Sequence, residues 1–142
     1  MAARMILMVD DDRDFVEAVS SYLESNGYRV VRAHDAAEGL KLAKMERPDL
    51  IIMDIMMKER TEGFFAVQEL RRAPELEMIP VFVVTSLYTA LGDFKVQPDG
   101  SWLAHDEFFT KPVRLPLFLE KIRKHIGDGA ANQSANAGTR PL

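Results

Sequence analysis

The stretch Met5-Ile6-Leu7-Met8-Val9-Asp10-Asp11-Asp12 drives five apolar residues straight into three acids. A continuous apolar run of this length predicts a strand covered on both faces, as in a parallel sheet. A second run, Leu50-Ile51-Ile52-Met53, ends in the same way on Asp54. Carboxylates at the end of a buried strand repel one another and are costly to desolvate. If both strands lie parallel in one sheet, their carboxyl ends meet and the acids converge. A cluster of that kind calls for a divalent cation.

Outward from these two runs, strand-like and helix-like patterns alternate. Phe15, Val16, Val19, Tyr22 and Leu23 recur at helical spacing, with Asp12 as the cap and Asn26-Gly27 as the stop. Residues 28–33 form a short β-branched stretch. Asp35 can cap a second helix whose buried side is Ala36, Ala37, Leu40 and Ala43, and Pro48 breaks the chain ahead of Leu50. Glu62–Arg72 reads as a third helix, with Phe65, Ala66, Val67 and Leu70 for packing and Pro74 beyond its end. Residues 81–84 are a fourth apolar strand entered through Pro80, and Glu107–Thr110 is a short fifth. Leu115–Ile126 is a last amphipathic helix with Leu115, Leu119, Ile122 and Ile126 on one face. Strands spaced by helix-sized intervals indicate right-handed crossovers and an α/β fold. The interval 86–106 shows no helical stripe. Pro98-Asp99-Gly100 marks a turn in it, so a short or irregular helix and a long loop are expected there.

A chain of 142 residues suits one domain with a proper core. That domain is expected over residues 1–126. Residues 127–142, rich in Gly, Ala, Asn and Ser and without an apolar stripe, are expected to be a disordered tail. The absence of cysteine removes disulfides, thiolate metal sites and cysteine nucleophiles. A net charge of −4 with no basic arm argues against direct nucleic-acid binding. His34, His105 and His125 lie in separate segments and lack zinc-ligand spacing. No run approaches the roughly 20 apolar residues of a membrane span. The Met5–Val9 run is too short for a signal-peptide core, so a cytoplasmic location is expected.

The chemistry-bearing residues gather on one expected sheet edge. They are the acids after strand one, Asp54 after strand three, Thr85-Ser86 after strand four and Lys111-Pro112 after strand five. Ligands of open α/β sheets bind outside the carboxyl ends of the strands. The acids could hold a hard cation, and magnesium suits a few carboxylates completed by water and a phosphoryl group. A hydroxyl and a lysine would complement phosphoryl oxygens, while one carboxylate could attack phosphorus and carry an acyl phosphate. Each residue also has a plain structural use. Asp10–Asp12 could cap the first helix, Asp54 and Thr85-Ser86 could make turns, and Lys111 could be solvated.

Val9-Asp10-Asp11, Asp54 at the end of 48–54, Thr85-Ser86 and Phe109-Thr110-Lys111-Pro112, in that order on alternating strands, resemble the receiver domain of two-component response regulators. The resemblance covers roughly residues 5–127. It implies a flavodoxin-like, doubly wound five-stranded parallel sheet of order 2-1-3-4-5, with helices on both faces. It implies Asp54 as phosphoacceptor and Mg2+ as cofactor. The metal would be held by Asp10, Asp11 (the more direct ligand), Asp54 and the backbone carbonyl of Met56. Thr85 would bond the phosphoryl group and move with it. Lys111 would pair with Asp54 and then with a phosphoryl oxygen, across a cis bond to Pro112. Phe108 would be the aromatic that turns inward on activation.

The implied partners are a sensor histidine kinase or histidine phosphotransfer protein and a downstream protein target, with no membrane insertion and a homodimer left open. The chain would be a stand-alone signalling switch rather than a turnover enzyme, since no output domain follows the last helix. Three alternatives belong to other classes. An unphosphorylated receiver-like scaffold would keep the fold without the chemistry. A magnesium-dependent aspartyl-phosphate phosphatase would need an acid where Met56 stands. A flavin binder would find its phosphate repelled by Asp10–Asp12. The chain departs from the family pattern in placing Lys58 after Met57, where proline is common. Its 58–63 segment is one residue longer than usual, and the interval from Thr85 to Lys111 several longer. The fourth helix is therefore expected to be atypical or short, and 86–106 to form a partner-specific surface. Met56 and Leu87 are both apolar and could not orient an attacking water, which implies a slowly hydrolysed phosphoryl group.

Overall fold

The computed structural model describes residues 3–54, 62–85 and 106–129, leaving aside the side chains of residues 62–65 and Thr85. Five strands, β1 (Met5–Val9), β2 (Arg29–Ala33), β3 (Leu50–Met53), β4 (Val81–Thr85) and β5 (Glu107–Thr110), form one sheet of order β2-β1-β3-β4-β5. Every neighbouring pair is parallel. Four described helices join them: α1 (Arg13–Ser25), α2 (Ala36–Glu46), α3 (Glu62–Arg72) and α4 (Leu115–Ile126). The doubly wound order expected from the sequence is the order observed. The expected features within 55–61, 86–105 and 130–142, including the irregular fourth helix, lie outside the described residues.

Burial on both faces explains the unbroken apolar runs. Leu7, Val9, Ile51, Met53, Val81 and Val83 point to the side of α2 and α3, while Ile6, Met8, Leu50, Ile52, Phe82 and Val84 point to α1 and α4. Alternation by two along each strand divides the same run between two cores. On the second face Phe82, Phe109 and Phe118 meet edge-on or tilted, with centroids 4.8–6.0 Å apart. Phe118 is fully buried on α4, in place of Leu115 and Ile126, which are only partly covered.

The caps fall where the acids predict them. Asp12 accepts from Phe15 N at 3.1 Å and Asp35 from Glu38 N at 2.8 Å, closing the open ends of α1 and α2. At the far end of α1 the N–H of Tyr28 bonds Leu23 O, so β2 begins at Arg29 and not at Tyr28. The expected apolar side of α2 needs one addition. Gly39 is buried there, and a Cβ on it would stand 2.8 Å from both Val9 methyl groups. Only a glycine lets α2 approach the last residue of β1 so closely, which draws the α2 face against the strand that ends on the acids.

Residues at the two extremes of the described chain, Arg4 and Gly129, meet at the edge of the sheet opposite the acids. Arg4 N donates to Gly129 O at 2.9 Å, and the Tyr28 hydroxyl donates to Gly127 O at 2.6 Å. Burial pushes the Tyr28 phenol up to about 12. Among the described residues no helix is long and apolar enough to cross a membrane.

Candidate functional site

Parallel pairing of β1 with β3 sets Val9 opposite Met53, so the next residue on each strand, Asp10 and Asp54, emerges at the same edge. Backbone bonds fix both: Asp10 N donates to Ala33 O at 3.1 Å and Asp54 N to Val9 O at 3.0 Å. Asp10 is 1% and Asp54 4% exposed, which is rare for carboxyl groups and needs compensation.

Asp10 receives that compensation on both oxygens. Its Oδ1 accepts from Asp12 N at 2.9 Å, and its Oδ2 lies 2.9 Å from Lys111 Nζ. Lys111 follows β5, whose Thr110 pairs with Thr85 of β4, so the lysine enters from the far side of the same edge. Its Nζ is also 3.5 Å from Asp54 Oδ2 and 3.8 Å from Asp12 Oδ2. The Phe15 ring centroid lies 4.4 Å from the same nitrogen. Burial opposes the charge on this lysine, but the hydrogen bond and attraction of Asp10, then Asp54 and Asp12, outweigh it and raise its pKa. The Lys111-Pro112 peptide is cis, as expected.

Asp11 completes the group. Its side chain is exposed, and one carboxylate oxygen from each of Asp10, Asp11 and Asp54 lies within 4.8 Å of the others. Lys111 answers these acids with one positive charge. The donors are oxygens only, the excess charge is negative, and Asp11 opens the cluster to solvent. Such a set can hold a hard divalent cation.

The sequence-predicted residues are thus brought to one edge in large part. Asp10, Asp11, Asp54 and Lys111 converge, and Thr85 ends β4 beside them, its side chain outside the described residues. Met56 and Leu87 also lie outside the described residues. Phe108 is half-buried on the α2–α3 face and packs against that core, away from Phe109, which packs on the other. Lys111 was expected to pair with Asp54. It does, but Asp10 is its nearer partner. Two contacts had no forecast. By its spacing Phe15 belongs to the helical stripe of α1, yet it stands three residues after the cap, one turn from the acids. His34 Nδ1 donates to Asp10 O at 3.2 Å, since a carbonyl can only accept. Its place directly after β2 was the available signal.

A sequence model of the response regulator receiver domain matches residues 6–123. The polar-differentiation response regulator DivK of Brucella anthropi is 30% identical over 125 residues, covering 88% of this chain and 98% of that protein. The chemotaxis protein CheY4 of Vibrio cholerae superposes with a TM-score of 0.74 at 26% identity, over 87% of this chain and 99% of that one. The receiver domain of sensor histidine kinase PA1611 from Pseudomonas aeruginosa PAO1, solved with magnesium in its active-site cleft, shares the fold. It aligns with a TM-score of 0.76 at 24% identity, over 89% of this chain and all of that one. The chain belongs to the receiver domain family of response regulators, the phosphorelay switches of two-component signalling.

Proposed function

We propose that Asp54 accepts a phosphoryl group from a phosphohistidine donor, a sensor histidine kinase or a histidine phosphotransfer protein. The observation that supports this most is the meeting of Asp10, Asp11 and Asp54 within 4.8 Å, with the Lys111 ammonium against them. A carboxylate oxygen of Asp54 forms the new bond to phosphorus as the donor's P–N bond breaks. The electron pair leaves on the imidazole nitrogen, which takes up a proton. Lys111, already within 3.5 Å of Asp54, then has a phosphoryl oxygen to pair with.

Asp10, Asp11 and Asp54, with the backbone carbonyl of Met56, would hold magnesium. When bound, the ion supplies positive charge to the oxygens of the transferring group. Asp10 already uses both oxygens within the protein, so Asp11 and Asp54 are the more direct ligands. The Thr85 hydroxyl would bond the phosphoryl group, and Phe108 would turn as Thr85 moves. Met56 and Leu87 are both apolar and could not orient an attacking water, so self-hydrolysis is slow. The chain acts as a switch in the cytoplasm, read out by contact with another protein, and not as a turnover enzyme.

Intact-mass spectrometry after incubation with acetyl phosphate tests this reading. One added phosphoryl group that requires both magnesium and Asp54, and is absent in Asp54→Ala, is expected. No adduct in folded wild-type protein under any condition would overturn the reading and favour an unphosphorylated interaction scaffold.

A further inference from the structure

We propose that Phe15 is a positioning residue for the phosphoryl transfer, its ring aiming the Lys111 ammonium into the carboxylates. The inference rests on the reading of Asp54 as phosphoacceptor and deepens it. Lysine reaches the site on four flexible methylenes, so something must fix where its charge sits. Among the described residues, Asp10 Oδ2 at 2.9 Å is the close acceptor, with Asp54 and Asp12 at 3.5 and 3.8 Å. The ring centroid of Phe15, 4.4 Å away, meets the ammonium as well. An aromatic face attracts a cation through its quadrupole, and more strongly when water is kept out. The Lys111 side chain is only 13% exposed.

The ring is itself held by the acids that it serves. Phe15 N donates to Asp12 Oδ1, Asp12 N donates to Asp10 Oδ1, and Asp10 Oδ2 takes the lysine. Lys111, Asp10, Asp12 and Phe15 therefore close a circuit around one nitrogen, with α1 supplying the last member. Packing against the α1–α4 core anchors the ring from behind. An aliphatic residue at 15 would fill the same core position but give the ammonium no partner. Lys111 would then be freer to sample positions away from Asp54, and the charge would be less often in place when phosphorus is attacked.

The test is a fluorination series at residue 15, since fluorine withdraws the ring's negative face with little change of size. Wild type, 4-fluoro-, 3,5-difluoro- and pentafluorophenylalanine at position 15, Phe15→Leu and Phe15→Trp would be phosphorylated with acetyl phosphate and magnesium. The rate of adduct formation would be followed by intact mass, beside a melting curve for each protein. A rate that falls stepwise with fluorination, to about two- to five-fold below wild type for Phe15→Leu, and is kept by Phe15→Trp, is the expected result. A purely steric role would not follow the fluorine count. Equal rates across the series, in proteins that fold alike, would overturn the inference while leaving Asp54 as acceptor. Absence of any adduct on wild type would instead remove the acceptor reading, and this inference with it.

Discussion

Replacing Lys111 with methionine keeps the length of the side chain and removes the charge that compensates Asp10 and Asp54. Both acids are nearly excluded from water, and the ammonium is 2.9 and 3.5 Å from them. Deleting one partner of a buried ion pair costs about 3–5 kcal/mol, because the other charge is stranded. Protonation sets a ceiling. A carboxyl of ordinary pKa can be neutralised at pH 7 for about 4 kcal/mol, so a stranded acid takes up a proton before it costs more. Asp10, the nearer partner, carries most of the effect, and a loss of about 3–4 kcal/mol at pH 7 is expected for Lys111→Met. Each unit of acidification makes that neutralisation about 1.4 kcal/mol cheaper, so the gap to wild type should close toward pH 4–5. Urea unfolding followed by circular dichroism, with chelator present, measures the gap at both pH values. Millimolar magnesium should recover part of the loss at pH 7 and little in acid. A gap under about 1 kcal/mol at pH 7, or one unchanged by acid, would show that Lys111 does not hold the acids in the way the geometry implies.

Two further outcomes follow from the same contacts. The folded pKa of Lys111 lies above its unfolded value of about 10.4, so the stability it contributes is complete below that pH and drains away as pH rises through the folded value. Alkaline urea titrations should show this component in wild type and lack it in Lys111→Met. Gly39→Ala should be destabilised by about 1–2 kcal/mol in urea or thermal unfolding, since overpacking against a rigid neighbour, about 2–3 kcal/mol, outweighs a helix-propensity gain of about 1. The stiff, fully buried Val9 cannot yield to a methyl group at 2.8 Å, and a Gly39→Ala variant as stable as wild type would refute that.

The sheet was legible because each buried strand is written as an unbroken apolar run, and the capping acids stand one residue ahead of their helices. Asp10, Asp54 and Lys111 could be brought to one edge from strand ends alone, since in a parallel sheet all carboxyl ends face the same way. Pair distances were another matter. That Lys111 rests nearer Asp10 than Asp54 depends on how far β5 reaches along β4 and on the Asp12 turn, and neither is written in any local pattern. Phe15 looked like core because its spacing fits the α1 stripe; its ring spans core and site together. Gly39 was passed over for a similar reason. A glycine shows no side chain to count in an apolar face, yet its lack of one is what α2 requires. On α4 the helical stripe identified the correct side through Leu119 and Ile122 but left out Phe118, which reaches the aromatic cluster with Phe82 and Phe109, while Ile126 sits at the end of the helix.

The hydrogen bond between Arg4 and Gly129 makes near neighbours of residues 125 positions apart in the chain. Gly129 is pressed so closely on the turn after α1 that a Cβ would stand 2.6 Å from Gly27 C and Tyr28 N. A linker of a few residues from Gly129 to Arg4 could therefore close residues 4–129 into a circle without stretching them. New ends could then be opened elsewhere, and the strand edge that carries Asp10, Asp54 and Lys111 would keep its geometry. In the unspliced chain, a pair of dyes at positions 4 and 129 would report on the integrity of the fold from the side of the sheet that the acids do not occupy.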